Sequence, residues 1–270
     1  MIIVAGGASV AGLAGRLPRA QRDILERKQR SPRLYRYASL PALEFELNAR
    51  ANTVEAARAM AMGQAGFASF ATSRCNEQFW QRTDEGGFRL KRGVRPSAAV
   101  NDIYANSGLY AFECAAAAVI VLYKAMLDTI GPAKFDAMFA NLYIYSWNYD
   151  RDLRLIQHTS GEQFPGDVRY IRNPDVDPAT PQWQGENAFV MMEPDTYFGH
   201  GIGITSSNQM IAVLNRHRRP GATRSAHMLD EITHPDYAAL HAAANSAMPR
   251  TDVLPFGNLA VRIGHITHVR

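Results

Sequence analysis

Apolar and polar positions divide this chain into an early part with helical spacing and a later part of strand-like runs. It opens on the apolar triplet Ile2-Ile3-Val4, which reads as a buried first strand. Leu40, Leu43, Leu47 and Val54 then recur along one helix face, with Ser39 placed to cap and Pro41 in the first turn. Phe79 to Lys91 predicts a hairpin turning at Asp84-Glu85-Gly86-Gly87, and Pro96 with Ser97 opens another short helix. A far more apolar helix runs from about Phe112 to Ile130 and stops at Gly131-Pro132. After it, Leu142 to Trp147, Val168 to Ile171, Ala188 to Met192 and Tyr197 to Ile204 are strand-like. Helices are predicted around Asn208 to Arg218 and Asp236 to Ala247, with a last strand from Val261 to Val269. A central apolar helix followed by several strands predicts an α+β fold. No repeat or low-complexity linker divides the chain, so a single domain over residues 1–270 is expected.

Composition removes several alternatives. Hydrophobic residues make up 47% and charged residues 20% of the 270 positions, which excludes a disordered, collagen-like or coiled-coil chain. Two cysteines, Cys75 and Cys114, exclude a disulfide scaffold. Of 29 cationic residues only Lys28, Lys91, Lys124 and Lys134 are lysines, a bias that a GC-rich genome explains most simply. The pI of about 9.1 invites a nucleic-acid reading, yet the arginines are scattered rather than gathered on one stripe. Their densest run, Arg216-His217-Arg218-Arg219, precedes Pro220-Gly221 and reads as a solvated helix end. No nucleic-acid partner is expected. No segment approaches the ~20 apolar residues of a membrane-crossing helix. The apolar start has no positive residue ahead of it, unlike a signal peptide, so cytoplasmic synthesis with reduced thiols is expected.

The chemistry centres on Cys114, at the front of the apolar helix. A thiol there faces unpaired amide N–H groups and the positive helix pole, which favour thiolate and could also hold an oxyanion. The bland reading is a small core residue in an Ala-rich helix. No zinc spacing exists, and neither metal nor cofactor is expected. A cysteine nucleophile needs a base. Among eight histidines His200 stands out, flanked by Gly199 and Gly201 within an aromatic strand-like run, whereas His217, His265 and His268 look structural or solvated. Two carboxylates are placed to contribute: Glu113, adjacent to Cys114, and Glu186, in Trp183-Gln184-Gly185-Glu186-Asn187. Either has a bland alternative, Glu113 as a first-turn residue suited to the dipole and Glu186 as a loop charge.

Together, Phe112-Glu113-Cys114-Ala115, the helix ending Asp128-Thr129-Ile130-Gly131, and Trp183 to Asn187 before Tyr197-Phe198-Gly199-His200-Gly201 resemble the spore-coat transglutaminases of bacteria. These are small, calcium-independent protein-glutamine gamma-glutamyltransferases. The likeness runs from Met1 to roughly Leu229 and predicts a lineage-specific C-terminal extension from about residue 230. The family's Trp-Arg-Gly-Glu-Asn pattern has Gln184 in place of arginine here. The resemblance implies a papain-like core of the cell-wall cysteine-peptidase type with additional helices, and Cys114 as nucleophile. It also implies Glu186 and, partly redundant with it, Glu113 as catalytic carboxylates, and His200 close by. Phe112, Trp183, Tyr197 and Phe198 are expected to wall the substrate site. The partners would be proteins bearing glutamine and lysine side chains, joined through a Cys114 thioester into isopeptide cross-links in a spore coat or another surface layer.

A glutamate base poses a difficulty, because ordinary values of about 4.3 for Glu and about 8.5 for Cys leave the proton on sulfur by about 5–6 kcal/mol. Burial of the glutamate and the helix terminus at the cysteine are expected to close that gap. Two other readings stand beside this one: a cysteine peptidase or amidase with His200 as base, and a silent coat or binding protein with Cys114 in its core.

Overall fold

The computed structural model describes residues 1–149, 151–159, 161–246, 261–263 and 266–268. In chain order its first half contains β1 (Ile2–Val4), α1 (Arg19–Arg30), β2 (Tyr35–Tyr37), α2 (Leu40–Met62), β3 (Gly66–Phe67), β4 (Trp80–Arg82), β5 (Phe88–Leu90), α3 (Pro96–Ala105), β6 (Ala111–Phe112), α4 (Cys114–Ile130) and α5 (Pro132–Met138). The second half contains β7 (Tyr143–Ile144), β8 (Leu155–Thr159), β9 (Val168–Arg172), β10 (Gly185–Val190), β11 (Thr196–Gly199), β12 (Gly203–Ser206), α6 (Ser207–Arg216), β13 (His227–Pro235) and α7 (Tyr237–Asn245). A short antiparallel pair, β14 (Val261–Ile263) and β15 (Ile266–His268), follows. The fold is thus a mixed helix-and-sheet one.

Two layers position the site. One is a six-stranded antiparallel sheet in the order β12-β11-β10-β9-β13-β8. The other is helical and centres on α4, which packs along α2 and against α3, α5 and β10. From Cys114 to Tyr123 every residue of α4 is buried. A helix apolar on all sides is stable only when enclosed, and truncating Leu122, which is fully buried, is expected to cost about 2–5 kcal/mol. Helix α2 begins as its spacing predicts: Ser39 Oγ accepts from the Ala42 N–H at 3.2 Å, and Pro41 occupies the first turn.

A buried charge network ties the helices to the sheet. Lys28 Nζ of α1 lies 2.8 Å from Glu46 Oε1 of α2, Arg50 Nε lies 2.7 Å from the same oxygen, and Arg50 Nη1 reaches Asp167 Oδ1 at 2.7 Å, just before β9. Tyr37 donates to Glu46 Oε2 at 2.8 Å. Burial alone would raise the Glu46 carboxyl, but the Lys28 and Arg50 charges outweigh it and hold it at about 2.

Several boundaries differ from the sequence reading for physical reasons. Tyr197 to Ile204 is two strands, because Gly201 takes a left-handed φ of +96° and turns the chain at His200. Strand β10 begins at Gly185 rather than Ala188, so Glu186 lies in a sheet and not in a loop. Leu142 to Trp147 forms a strand only at Tyr143–Ile144, with an isolated bridge from Tyr145 to Asn148, and helix α4 starts at Cys114, with Phe112 in β6. β1 pairs only with β2, leaving Ile3 39% exposed, so of the first triplet only Val4 is buried. Strand β13 runs through residue 230 between β9 and β8, and α7 packs on α2. Arg219 of the basic run and Arg224 beyond it converge on Asp175. Among the described residues no helix is long and apolar enough to cross a membrane.

Candidate active site

Cys114 is the first residue of α4, and β10 passes beside it. Glu113 caps the helix: its Oε2 accepts from the Ala115 N–H at 2.9 Å and its Oε1 from the Ala116 N–H at 2.8 Å. The thiol points at the same carboxylate, with Sγ 3.5 Å from Oε2. From β10, Asn187 Nδ2 donates to Sγ at 3.4 Å, and the Gly185 carbonyl lies 4.0 Å away. Only 8% of Cys114 is exposed.

Glu186 is 1% exposed and occupies the β10 position between those two residues. The backbone N–H groups of His200 and Asn187 face its carboxylate, yet its Oε1 has no partner. Gly199 explains why the carboxylate fits. A Cβ there would sit 2.8 Å from Glu186 Cγ and 3.0 Å from Oε1, so the bare backbone of β11 is what leaves room for this side chain.

His200 is brought close but turned aside. Its Nε2 lies 3.1 Å from the Gly66 carbonyl, which can only accept, so Nε2 carries the proton. Its ring stacks on Phe112 at 4.7 Å and meets the edge of Phe67. Burial lowers its basicity and outweighs the carbonyls of Gly66 and Phe112. Trp183 is half-buried, stacks flat on His217 at 4.1 Å and tilts against Phe67 at 5.0 Å. Phe112, Tyr197 and Phe198 are buried: Phe112 and Phe198 join the main core, and Tyr197 packs with Ile171, Ala188 and Met210 on the α6 side. These three back the site rather than face outward.

Three neighbours had no sequence signal of their own. Phe67 is an isolated aromatic whose position follows only from the β3–β6 pairing opposite Phe112. Tyr170 pairs opposite Asn187, and a Cβ on Gly185 would meet its hydroxyl at 2.2 Å. Asn187 stood inside the recognised motif without an assigned task.

The electrostatics reverse one expectation. The helix terminus was expected to lower the Cys114 thiol; burial pushes it well above the ordinary range, reinforced by the charges of Glu186 and Glu113. Beside this burial, the Ala115 and Ala116 amides are occupied by the Glu113 carboxylate, whose charge lies next to the sulfur. Those amides are equally lost as oxyanion donors. Burial also raises Glu113, against the two amides that hold it down, and raises Glu186 well above the carboxylate range, with Glu113 adding to the effect. The site therefore gathers one thiol and two carboxyl groups, each with a raised affinity for protons. Proton transfer between such groups needs no external charge to be created, which is the chemistry a carboxylate-assisted acyl transfer demands. No cluster of three His, Cys, Asp or Glu that could hold a metal ion occurs among the described residues. Cys75 is a separate free thiol, half-buried and pushed up to about 11 by burial.

Comparison with known proteins gives a consistent result. A family model described as protein-glutamine gamma-glutamyltransferase matches residues 1–244. A protein-glutamine gamma-glutamyltransferase of Bacillus mycoides is 39% identical over 253 residues, covering 92% of this chain and 91% of that protein. One from Halalkalibacterium halodurans is 43% identical over 215 residues, covering 80% and 75% respectively. Among solved structures, a transglutaminase from Geobacillus stearothermophilus without its C-terminal extension superposes with a TM-score of 0.73 at 47% identity, covering 77% of this chain and 99% of that one.

Proposed function

The chain belongs to the protein-glutamine gamma-glutamyltransferase family, and from that premise we propose how its residues carry the reaction. The enzyme is an acyltransferase acting on proteins. In our reading Cys114 attacks the side-chain carboxamide of a protein glutamine. The C–S bond forms as the thiol proton passes to a carboxylate, the tetrahedral adduct collapses, and ammonia departs with that proton. A lysine ε-amine then attacks the thioester, gives its proton to the same carboxylate and leaves an isopeptide cross-link, while sulfur recovers a proton.

Glu186 suits the shuttling role best, because burial raises its affinity for protons and its Oε1 has no partner and can accept one. Glu113 touches the sulfur but is tied to two amides, which fits a partly redundant partner. His200 acts through position: its backbone N–H steadies Glu186 and its ring packs against Phe112. Trp183 with Phe67 would meet the incoming side chain, and Phe112, Tyr197 and Phe198 keep water from the thioester, which otherwise hydrolyses.

The observation that carries this reading is the thiol at the head of the central helix, enclosed with two proton-seeking carboxyl groups and without a histidine bond. A peptidase with His200 as base fits less well, since that imidazole is committed to Gly66. The same placement of a helix-terminal cysteine against an antiparallel sheet supports a papain-like core. The likeness to spore-coat enzymes supports a role in a coat or another surface layer, and we propose that catalysis needs no calcium. The test is incorporation of a labelled primary amine into a glutamine-bearing protein with chelator present. Cys114→Ala should abolish it, and Glu186→Ala should cost more than Glu113→Ala or His200→Ala. Full activity in Cys114→Ala would refute the proposal.

A further inference from the structure

Both reaction steps place negative charge on a carbonyl oxygen beside Cys114, and something must donate to it. Two of the donors at the head of the helix are already taken, because Glu113 holds the Ala115 and Ala116 amides. The other groups bonded to Sγ are Glu113 Oε2 and the Gly185 carbonyl, which can only accept. Asn187 is the exception. Its side-chain amide donates to Sγ at 3.4 Å, and its backbone N–H also faces the sulfur. It is 4% exposed, and its Oδ1 is buried with no partner.

We propose that Asn187 is a catalytic residue: its amide N–H groups stabilise first the Cys114 thiolate and then the oxyanion of the tetrahedral adduct. The assignment rests on the transferase reading above. An Asn anchored at both ends of its amide would be a structural brace. Here Oδ1 has no partner, so a turn of the amide breaks no second bond and one N–H can follow the negative charge from sulfur to oxygen. The electron balance is simple. As the C–S bond forms, the carbonyl π pair moves to oxygen, where Asn187 holds it; on collapse the pair returns, the C–N bond breaks, and ammonia leaves with the former thiol proton. Deacylation repeats the sequence with the lysine amine as nucleophile and sulfur as leaving group. The same residue therefore serves both halves of the reaction.

The experiment uses the full chain with a glutamine peptide and measures ammonia release in a single turnover, together with the pH profile of Cys114 alkylation by iodoacetamide. Asn187→Ala should slow single-turnover release by roughly 10²-fold, the usual effect of losing one oxyanion donor, with KM changed far less than kcat. It should also displace the alkylation profile to higher pH, because the thiolate loses its donor. Asn187→Ser, which keeps a short donor, should fall between Ala and wild type in both readouts and decides the matter if Ala does not fold. A folded variant with release within threefold of wild type and an unmoved alkylation profile overturns the assignment. Failure of the wild type itself to release ammonia would sink the transferase mechanism instead, while the alkylation profiles would still report whether Asn187 holds the sulfur.

Discussion

The protonated state of Cys114 can be tested directly. In the wild type, carboxamidomethylation of Cys114 should be slow at pH 6–7 and should rise tenfold per pH unit to beyond pH 9. The perturbation is Glu113→Gln, which keeps an oxygen for the helix amides while removing the charge beside the sulfur. At 3.5 Å, two unit charges at an effective dielectric constant of about 20 repel by about 5 kcal/mol, equivalent to more than 3 pH units. The carboxylate charge is shared with the oxygen facing Ala116, which dilutes the effect, so a displacement of about 1–3 pH units towards lower pH is expected. The assay is iodoacetamide labelling between pH 6 and 10, read on the Cys114 peptide by mass spectrometry in a Cys75→Ala background, with each rate scaled to its high-pH plateau. A wild-type plateau already reached at pH 7, or a Gln variant displaced upward, would show that the helix terminus governs this sulfur after all.

Three further outcomes follow from the structure. Gly199→Ala should retain its thermal midpoint within a few degrees but lose at least tenfold in amine incorporation, because the new Cβ displaces the flexible Glu186 side chain rather than backbone; unchanged activity would contradict the assigned fit. Glu46 is held at about 2 in the fold, below its unfolded value, so its contribution to stability is complete above about pH 4.5 and disappears as pH falls toward 2. Urea midpoints at pH 7, 4 and 3 should fall accordingly, and Glu46→Gln should be less stable at pH 7 by about 3–5 kcal/mol with a flatter acid limb. Among the four lysines, Lys28 is buried in an ion pair, Lys124 pairs with Asp128 and Lys91 bonds the Glu77 carbonyl, whereas Lys134 is exposed in the first turn of α5. Peptide mapping after self-incubation should find isopeptide at Lys134 and none at Lys28; a Lys28 cross-link would mean the helix layer opens far more readily than its packing implies.

What could be read from the sequence was what neighbouring residues decide. The Ser39 cap, the hairpin around Gly86-Gly87 and the apolar helix from Cys114 to Gly131 each carry their signal within a few positions. The motif from Trp183 to Asn187 was legible as a unit, as were Glu113 and Cys114. Features set by distant partners were not. Helix α1 is strongly polar and buries Ile24, Leu25 and the charged Lys28, which only the α2 network makes tolerable. Strand β8 carries a histidine flanked by polar residues and β13 mixes histidines with charges, and their pairing is apparent only in the assembled sheet. The orientation of His200 depends on Gly66, 134 residues away in sequence. The state of the thiol was inverted for a related reason. A helix terminus favours thiolate only where burial does not outweigh it, and what encloses this sulfur is β10, whose Asn187 lies 73 residues away in sequence.

The burial of Cys114 has one more consequence. Peroxides and other electrophiles attack thiolates, and oxidation beyond the sulfenic stage is irreversible in most proteins. A buried thiol whose affinity for its proton is raised is therefore chemically quiet toward such reagents. Burial first, and then the charges of Glu186 and Glu113, thus hold this sulfur in its thiol form.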